Sequence, residues 1–245
     1  METEFFQQKR LWKQAFGDGD EFLSAFFSTA FHKDRCRFLW EGEDLAAMLY
    51  WMDGTYQDQK LAYLYAVATD QAYRGRGLCR KLMEQTHRQL KEEGYAAALL
   101  SPATEDLRKM YQSFGYQPGT RGSLLSCGPG EPVEIHRIPA AEFAPLRRQY
   151  LPADGVLQEG GSLAFLEKTA EFYRGRDFLL TARKEGDSLV GLELLGNEKA
   201  APGIVRALGC QEGTFRTPGR EREMTLYLPL GTEGKKPGYF AYLFD

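Results

Sequence analysis

The hydrophobic pattern changes its period twice between residues 61 and 100, and this stretch organises the first half of the chain. Residues 61–68 are almost wholly apolar, which is typical of a strand buried on both faces of a sheet. Apolar residues then recur on one helical face from Leu78 to Leu90, and Gly94 follows where a helix C-cap is expected. Residues 96–100 form a short apolar run that predicts a second strand. The pattern therefore predicts a strand, a loop, a helix and a strand in succession.

The pattern also predicts helices and strands on both sides of this stretch. Before it, we expect two aromatic-rich helices over residues 4–16 and 20–31, then a hairpin of strands over residues 37–40 and 45–52. After it, we expect a short helix ending at Gly115, strands over residues 133–138, 224–230 and 239–244, and helices over residues 141–150 and 163–173. Strands and helices mixed in this way indicate an α/β (α+β) protein.

A change in composition marks the expected boundary between two domains. The chain has 245 residues, which is enough for one large domain or two smaller ones. Proline and glycine are concentrated between residues 118 and 132, as in segments that join domains. We therefore expect one domain over residues 1–128 and a second, smaller domain over residues 129–245.

Composition and charge argue against several classes of protein. A formal net charge of −3 does not provide the basic surface that nucleic acid requires, and no apolar run approaches the roughly 18 residues of a membrane span. The N-terminus lacks the features of a signal peptide, so we expect a cytoplasmic protein that binds neither nucleic acid nor membranes. The cysteines and histidines are scattered, so we expect no metal site and no disulfide framework. The sequence leaves open whether the protein forms a homo-oligomer.

The loop before the predicted helix has the properties of an anion site. Backbone N–H groups at a helix N-terminus point towards one spot, and the helix dipole adds partial positive charge there. Arg74, Arg76 and Arg80 supply further charge. Gly75 and Gly77 have no Cβ that would keep a phosphate away. A simple turn is the alternative interpretation, because a single glycine loop is a weak signal.

Two common phosphate loops do not fit these residues. The nucleoside triphosphate loop requires Gly-Lys followed by Ser or Thr, and the sequence lacks that triplet. The dinucleotide loop requires three spaced glycines and an acidic residue at the end of the next strand, whereas the next strand is followed by Ser101 and Pro102. If this loop binds a phosphate, it therefore belongs to a different class of phosphate-binding loop.

The loop resembles the phosphate loop of the GNAT superfamily, the acetyl-coenzyme A-dependent N-acyltransferases. That pattern is Arg or Gln, two residues, Gly, one residue, then Gly or Ala; Arg74, Gly77 and Cys79 occupy these places, and Cys79 departs from the pattern. The resemblance implies a mixed central sheet flanked by helices, with one strand along the pantetheine arm of coenzyme A and the loop around its pyrophosphate. The cofactor-binding residues that it implies are Val67, Ala68, Thr69, Arg74, Gly75, Arg76, Gly77, Leu78, Cys79 and Arg80.

A second motif of the same family follows the first. Residues 111–116 read Tyr-Gln-Ser-Phe-Gly-Tyr and resemble the family's Tyr-x-x-x-Gly-Phe segment. The resemblance implies that Tyr111 is the general acid for the departing thiolate of coenzyme A, whereas the alternative is that its ring only packs in the core. We expect an enzyme that transfers acetyl from acetyl-coenzyme A directly to a small-molecule or peptide amine. The alternative is a catalytically inactive sensor or scaffold that binds coenzyme A.

Short sequence echoes indicate that the second half is related to the first. The hairpin around residues 37–49 is echoed around residues 177–195, and residues 114–120 are echoed by residues 208–214. The interval between the two echoes is shorter in the second copy, and in the first copy that interval holds the phosphate loop. Val205 then stands where the first copy has Tyr111. We therefore predict a degenerate GNAT-like second unit that lacks the cofactor-binding loop.

Overall fold

Two units, each with a six-stranded sheet, account for residues 2–231 and 234–244, which the computed structural model describes. Unit 1 consists of Met1–Gln117 and Tyr227–Lys235, and unit 2 consists of Pro118–Leu226 and Lys236–Asp245. The chain enters unit 2 ahead of residue 128, because residues 121–127 already pair as a strand within that unit. The α/β class expected from the sequence is confirmed.

Unit 1 follows the order of elements that the hydrophobic pattern predicts. Its elements are α1 (Glu2–Phe16), α2 (Asp20–Thr29), β1 (Cys36–Glu41), β2 (Asp44–Tyr56), β3 (Gln59–Thr69), α3 (Leu78–Glu92), β4 (Ala97–Leu100), α4 (Glu105–Gln112) and β5 (Gln117–Pro118), completed by a late strand, β12 (Leu226–Pro229). The sheet has the order β1-β2-β3-β4-β12-β5. Strands β1, β2 and β3 are antiparallel neighbours, and β3 and β4 are parallel and joined through α3.

The two faces of this sheet carry different helices. Tyr50 lies on the face that α1 and α2 cover, where the rings of Trp12 and Phe26 lie 5.4 and 5.3 Å from its own. Phe38 of β1 packs against Tyr50 on the same face. The adjacent Arg37 points to the opposite face, where its guanidinium hydrogen-bonds to a glutamine of α3. Neighbouring residues of a strand face opposite sides, so α3 covers the face away from α1 and α2.

Strand β3 carries a β-bulge beyond its pairing with β4. Between its pairings with Met48 and Tyr50 of β2, β3 has one more residue than β2. Ala66, within this bulge, has a φ of +49°, a left-handed conformation that alanine adopts only at an energetic cost. The ladder between β3 and β4 covers residues 61–63 of β3, and β3 continues from there to Thr69. Among the described residues, no strand pairs with β3 on the β4 side after residue 63.

Unit 2 is built around the second sheet. Its elements are β6 (Arg121–Cys127), β7 (His136–Ile138), α5 (Ala140–Tyr150), α6 (Gly161–Thr169), β8 (Glu171–Arg174), β9 (Phe178–Glu185), β10 (Ser188–Gly196), α7 (Ala201–Ala207) and β11 (Glu212–Glu223). The strands have the order β6-β11-β10-β9-β8-β7. The predicted helix over residues 163–173 is wrong in its second part, because residues 171–174 pair with β9 as strand β8.

The C-terminal segment of unit 2 is buried without being a strand. Phe240, Ala241 and Tyr242 are almost fully buried, and Tyr242 packs in the core formed with α5 and α6. Its pairing within the described chain is a single bridge between Tyr239 and Gly155. The prediction of a strand over residues 239–244 is therefore wrong, although the segment is buried. Asp245 lies outside the described residues.

The order of elements in unit 2 repeats that of unit 1. In each unit, two helices precede three antiparallel strands, and the third strand leads through a helix to a parallel neighbour. Strands β9 and β10 thus correspond to β2 and β3, and α7 corresponds to α3. The predicted alignment of the echoes is wrong, because Val205 lies in α7 whereas Tyr111 lies in α4. Short echoes mislead here because any helix that ends at glycine before a strand produces a similar sequence.

Candidate active site

The phosphate loop has a defined conformation between β3 and α3. Asp70 follows β3, and its carboxylate accepts the N–H of Ala72, which caps a 3-10 turn over Gln71–Tyr73. Gly75 and Gly77 then have φ values of +77° and +74°, which favour glycine. Gly77 is the N-cap of α3, so the loop leads directly into the helix as the sequence predicts.

Space for an anion lies beside these glycines. A Cβ placed on Gly75 or Gly77 would meet no other atom of the described chain within 4 Å. The N–H of Lys81 makes the first helical hydrogen bond, to the Gly77 carbonyl at 3.0 Å. The N–H groups of residues 78–80 precede that bond and therefore remain available to a ligand. The residues present fit a pyrophosphate, which needs backbone donors at close approach.

The loop arginines are exposed, and each makes an anchoring contact. Arg74 Nε donates to the carbonyl of the last residue of β3 at 3.3 Å, and Arg76 Nη2 donates to the carbonyl of Ala72 at 3.3 Å. The guanidinium of Arg80 lies 4.4 Å from the centroid of the Phe114 ring. A guanidinium has five N–H donors, so these contacts leave most of the donors of each arginine available to a ligand.

The residues expected along the pantetheine arm lie on β3, in the bulge and directly beyond it. Val67, Ala68 and Thr69 are part of β3, and Ala68 and Thr69 pair with β2. On the other side of β3, this part of the described chain has no neighbouring strand. An extended ligand with amide groups can hydrogen-bond to such an edge as an added strand does.

Tyr111 is held in a buried aromatic cluster. Its side chain lies on α4 with 6% of its surface exposed, and its ring meets those of Phe114 and Tyr116 edge-on at 6.1 and 5.9 Å. Burial, and to a smaller extent Cys79, raise the pKa of the Tyr111 phenol above its usual value.

Arg80 links the phosphate helix to the helix that carries Tyr111. Its Nη2 donates to Ser113 Oγ at 3.4 Å, and Ser113 Oγ in turn donates to the carbonyl of Met110 at 2.6 Å. Cys79, the residue before Arg80 in α3, is partly buried, and burial raises the pKa of its thiol to about 11. Cys79 is therefore neutral at pH 7 and adds no negative charge to the phosphate site.

The sequence did not reveal the pairing of His87 with Tyr116, next to Tyr111. His87 Nε2 lies 2.9 Å from the hydroxyl of Tyr116, whose ring packs against Tyr111. Burial lowers the pKa of His87 to about 4, so the imidazole is neutral at pH 7. A lone histidine on a helix gives no signal of such a partner, which lies 29 residues away along the chain.

Within residues 2–231 and 234–244, no three or more His, Cys, Asp and Glu side chains form a group that would hold a metal ion. The same part of the chain contains no helix that is both long enough and apolar enough to span a bilayer.

Comparison with known proteins identifies the family of the first domain. Residues 1–119 match the family model described as an acetyltransferase (GNAT) domain. This part of the chain therefore belongs to the GNAT superfamily of acyltransferases, as the loop and the Tyr111 motif predict. No curated protein matches the sequence.

Solved structures share the fold across both units. A GCN5-related N-acetyltransferase from Kribbella flavida aligns with 94% of this chain and 70% of its own, with a TM-score of 0.67 and 16% identity. A GCN5-related N-acetyltransferase from Anabaena variabilis aligns with 93% and 71%, at a TM-score of 0.70 and 16% identity. Eis1 from Mycobacterium abscessus aligns with 94% and 71%, at a TM-score of 0.68 and 11% identity. At these identities the likeness shows the fold alone.

Proposed function

We propose that this chain is an N-acetyltransferase that moves the acetyl group of acetyl-coenzyme A directly to an amine. The observation that carries the proposal is the loop over residues 74–80, where open glycines at positive φ, helix N–H groups and arginines meet. This combination suits a pyrophosphate. The edge of β3 beyond the bulge suits the amide groups of the pantetheine arm, which connects pyrophosphate and thiol in coenzyme A. Acetyl-coenzyme A would supply the thioester.

Tyr111 is the proposed general acid, the group that protonates or hydrogen-bonds the departing thiolate. Because burial raises its pKa, the phenol keeps its proton throughout the neutral pH range. A thiol has an ordinary pKa of about 8.5 and a phenol one near 10, so raising the phenol further favours a hydrogen bond to the thiolate over complete proton transfer. The acceptor must be neutral to attack, and freeing a lysine-like amine at pH 7 costs roughly 4.6 kcal/mol. A base or a water chain must assist on that side.

The proposed acceptor is a small-molecule or peptide amine, and the proposed location is the cytoplasm. The cysteines Cys36, Cys79, Cys127 and Cys210 are all free, as expected for a protein in a reducing compartment. The net charge of −3 argues against nucleic acid as a partner.

Calorimetric titration with coenzyme A tests the binding step, and we expect one site per chain. Helix α7, the counterpart of α3 in unit 2, has 7 residues and follows Asn197–Ala200 instead of a glycine loop. Gly77→Val should abolish binding, because valine is strained at a φ of +74° and its methyl groups would occupy the phosphate space. Gly94→Val is the matched control, since Gly94 has a φ of +77° at the other end of α3. Two equivalent sites per chain would contradict the proposal.

An assay of thiol release with a panel of amines tests the transfer step. We expect release of coenzyme A that depends on both acetyl-coenzyme A and one class of amine. Tight binding of coenzyme A without turnover on any amine would favour a sensor or scaffold instead. Failure to bind coenzyme A would overturn the proposal altogether.

A further inference from the structure

A buried carboxylate lies at the start of the phosphate loop. Asp70 is 6% exposed and follows the last residue of β3. Its Oδ1 accepts the N–H of Ala72 at 2.9 Å, and its carbonyl accepts the N–H of Tyr73 at 2.9 Å. Asp70 therefore shapes the turn that leads into the loop. The same carboxylate brings a negative charge to the neighbourhood of a site for an anion, and like charges repel.

Arg10 of α1 opposes this charge. Its Nη2 lies 3.2 Å from Asp70 Oδ2, and the side chains are 44% and 9% exposed respectively. Gln14, four residues later and on the same face of α1, accepts the N–H of Gln71 through its Oε1 at 3.4 Å. Helix α1 thus contacts the first residues of the loop region through two side chains. Arg10 and Asp70 are 60 positions apart, so no local sequence pattern indicates their ion pair.

We propose that Arg10 is a positioning residue for coenzyme A, and this inference rests on the proposed function. Arg10 neutralises Asp70, so that Asp70 can shape the loop without repelling the phosphates. Coenzyme A carries a pyrophosphate and a 3′-phosphate, which makes its binding sensitive to any uncompensated charge nearby. Without Arg10, the Asp70 carboxylate keeps its hydrogen bonds to the turn but loses its counter-charge.

The two members of the pair should therefore differ in their effect on affinity. Arg10→Met leaves the charge of Asp70 uncompensated and should weaken coenzyme A binding. Asp70→Asn removes that charge while its amide oxygen still accepts the N–H of Ala72, so binding should be retained or tightened. The double variant carries neither charge and should bind as the parent does. If the ion pair served only to hold the fold, both single variants would weaken binding and the double variant would be no better.

Calorimetry with coenzyme A on the full chain, at low and high salt, measures these effects. We expect Arg10→Met to raise Kd about fivefold at roughly 0.05 M salt, with a smaller ratio to the parent near 0.5 M, where charges are screened. Asp70→Asn and the double variant should stay within about twofold of the parent or bind more tightly. Thermal unfolding of each variant shows whether it is folded under the conditions of the titration.

Lys13→Met is the matched control for charge on α1. Lys13 lies 2.7 Å from Asp20, and its side chain is 42% exposed, close to the value for Arg10. Its loss removes the same charge from the same helix without involving Asp70, so affinity should stay near that of the parent. Equal weakening by Lys13→Met and Arg10→Met, or no weakening by Arg10→Met, would overturn the inference and leave the proposed function standing.

The remaining outcomes also decide the matter. If Arg10→Met alone does not fold, parent-like affinity of the double variant supports the inference and weakened affinity overturns it. A parent protein that binds no coenzyme A would overturn the proposed function, and the inference with it.

Discussion

Arg147 and Glu193 form a buried ion pair in unit 2, with Nε–Oε2 and Nη2–Oε1 distances of 2.6 and 3.0 Å. Each side chain is only 1% exposed. The guanidinium also lies 4.4 Å from the centroid of the Tyr242 ring, so the pair connects α5, β10 and the C-terminal segment of the unit. A charge buried this deeply depends on its partner, because it has lost its hydration.

Replacing Arg147 by Met should destabilise unit 2 strongly. The substitution leaves the Glu193 carboxylate buried without a counter-charge, which typically costs about 3–5 kcal/mol. The double variant Arg147→Met/Glu193→Leu should recover much of that loss, because it leaves neither charge buried. Chemical denaturation, followed by circular dichroism, measures the free energy of unfolding for each variant.

The control for this prediction is the next residue along the chain. Arg148 makes two hydrogen bonds of 2.7 Å to Glu159, but its side chain is 60% exposed. Arg148→Met should therefore cost less than about 1 kcal/mol, since exposed ion pairs contribute little. Similar losses for Arg147→Met and Arg148→Met would show that burial does not set the strength of the first pair.

His87 should make the protein sensitive to mild acid. Burial lowers its pKa in the folded state to about 4, from a usual value of 6.5. Between these two pKa values the unfolded chain protonates His87 and the folded chain does not. The contribution of His87 to the free energy of unfolding is therefore complete above pH 6.5 and is lost as pH falls towards 4. The loss should be on the order of 1–3 kcal/mol, reduced by the partial exposure of the ring.

Thermal unfolding between pH 7.5 and 4.5 checks this sensitivity. His87→Gln should show a shallower fall in the unfolding midpoint than the parent, because it removes the titrating group. His136→Gln is the control, since its side chain is 57% exposed, and it should follow the parent. Parallel curves for all three proteins would mean that other groups set the response to acid.

Hydrophobic periodicity predicted unit 1 well because its helices each have one buried face and its inner strands are apolar. The glycine loop between β3 and α3 was also predictable, since positive φ at Gly75 and Gly77 strongly favours glycine. The bulge at Ala66 was not, because alanine carries no preference for the left-handed conformation that it adopts there. The edge of β3 that has no described neighbouring strand after residue 63 therefore arises from how the sheet folds and could not be predicted from local sequence.

In unit 2, pairing between distant segments overrides the structure that the local sequence pattern predicts. Leu163, Leu166, Ala170 and Tyr173 keep a helical spacing, yet the last part of that stretch pairs with β9 and becomes β8. The aromatic composition of the C-terminal segment indicated a strand, but within the described chain the segment pairs only through a single bridge to Gly155. The ion pair of Arg10 with Asp70 and the bond of His87 with Tyr116 likewise depend on contacts far apart in sequence.

Tyr111→Phe should leave coenzyme A affinity unchanged and reduce turnover by about 10²-fold or more, the usual scale for a positioned acid. Phenylalanine keeps the ring that packs against Phe114 and Tyr116, so the fold should hold. Tyr116→Phe is the control, because it removes a buried hydroxyl that bonds to His87. That variant should lose stability while turnover changes by less than about threefold. Turnover of Tyr111→Phe within a factor of about three of the parent would remove Tyr111 from the mechanism.

The pH dependence of turnover tests the ionisation state of Tyr111. An acid acts only while it is protonated, so its contribution is lost as pH rises through its pKa, and burial places that pKa above the usual value of 10. Meanwhile, the neutral fraction of an amine with a pKa of about 10.4 increases about tenfold for each unit by which the pH rises towards that value. We therefore expect kcat/KM to rise from pH 6 to 9 without a descending limb, in the parent and, at a lower level, in Tyr111→Phe. A descending limb with an apparent pKa below 9 that is absent from Tyr111→Phe would show that the phenol ionises in this range and that burial does not protect its proton.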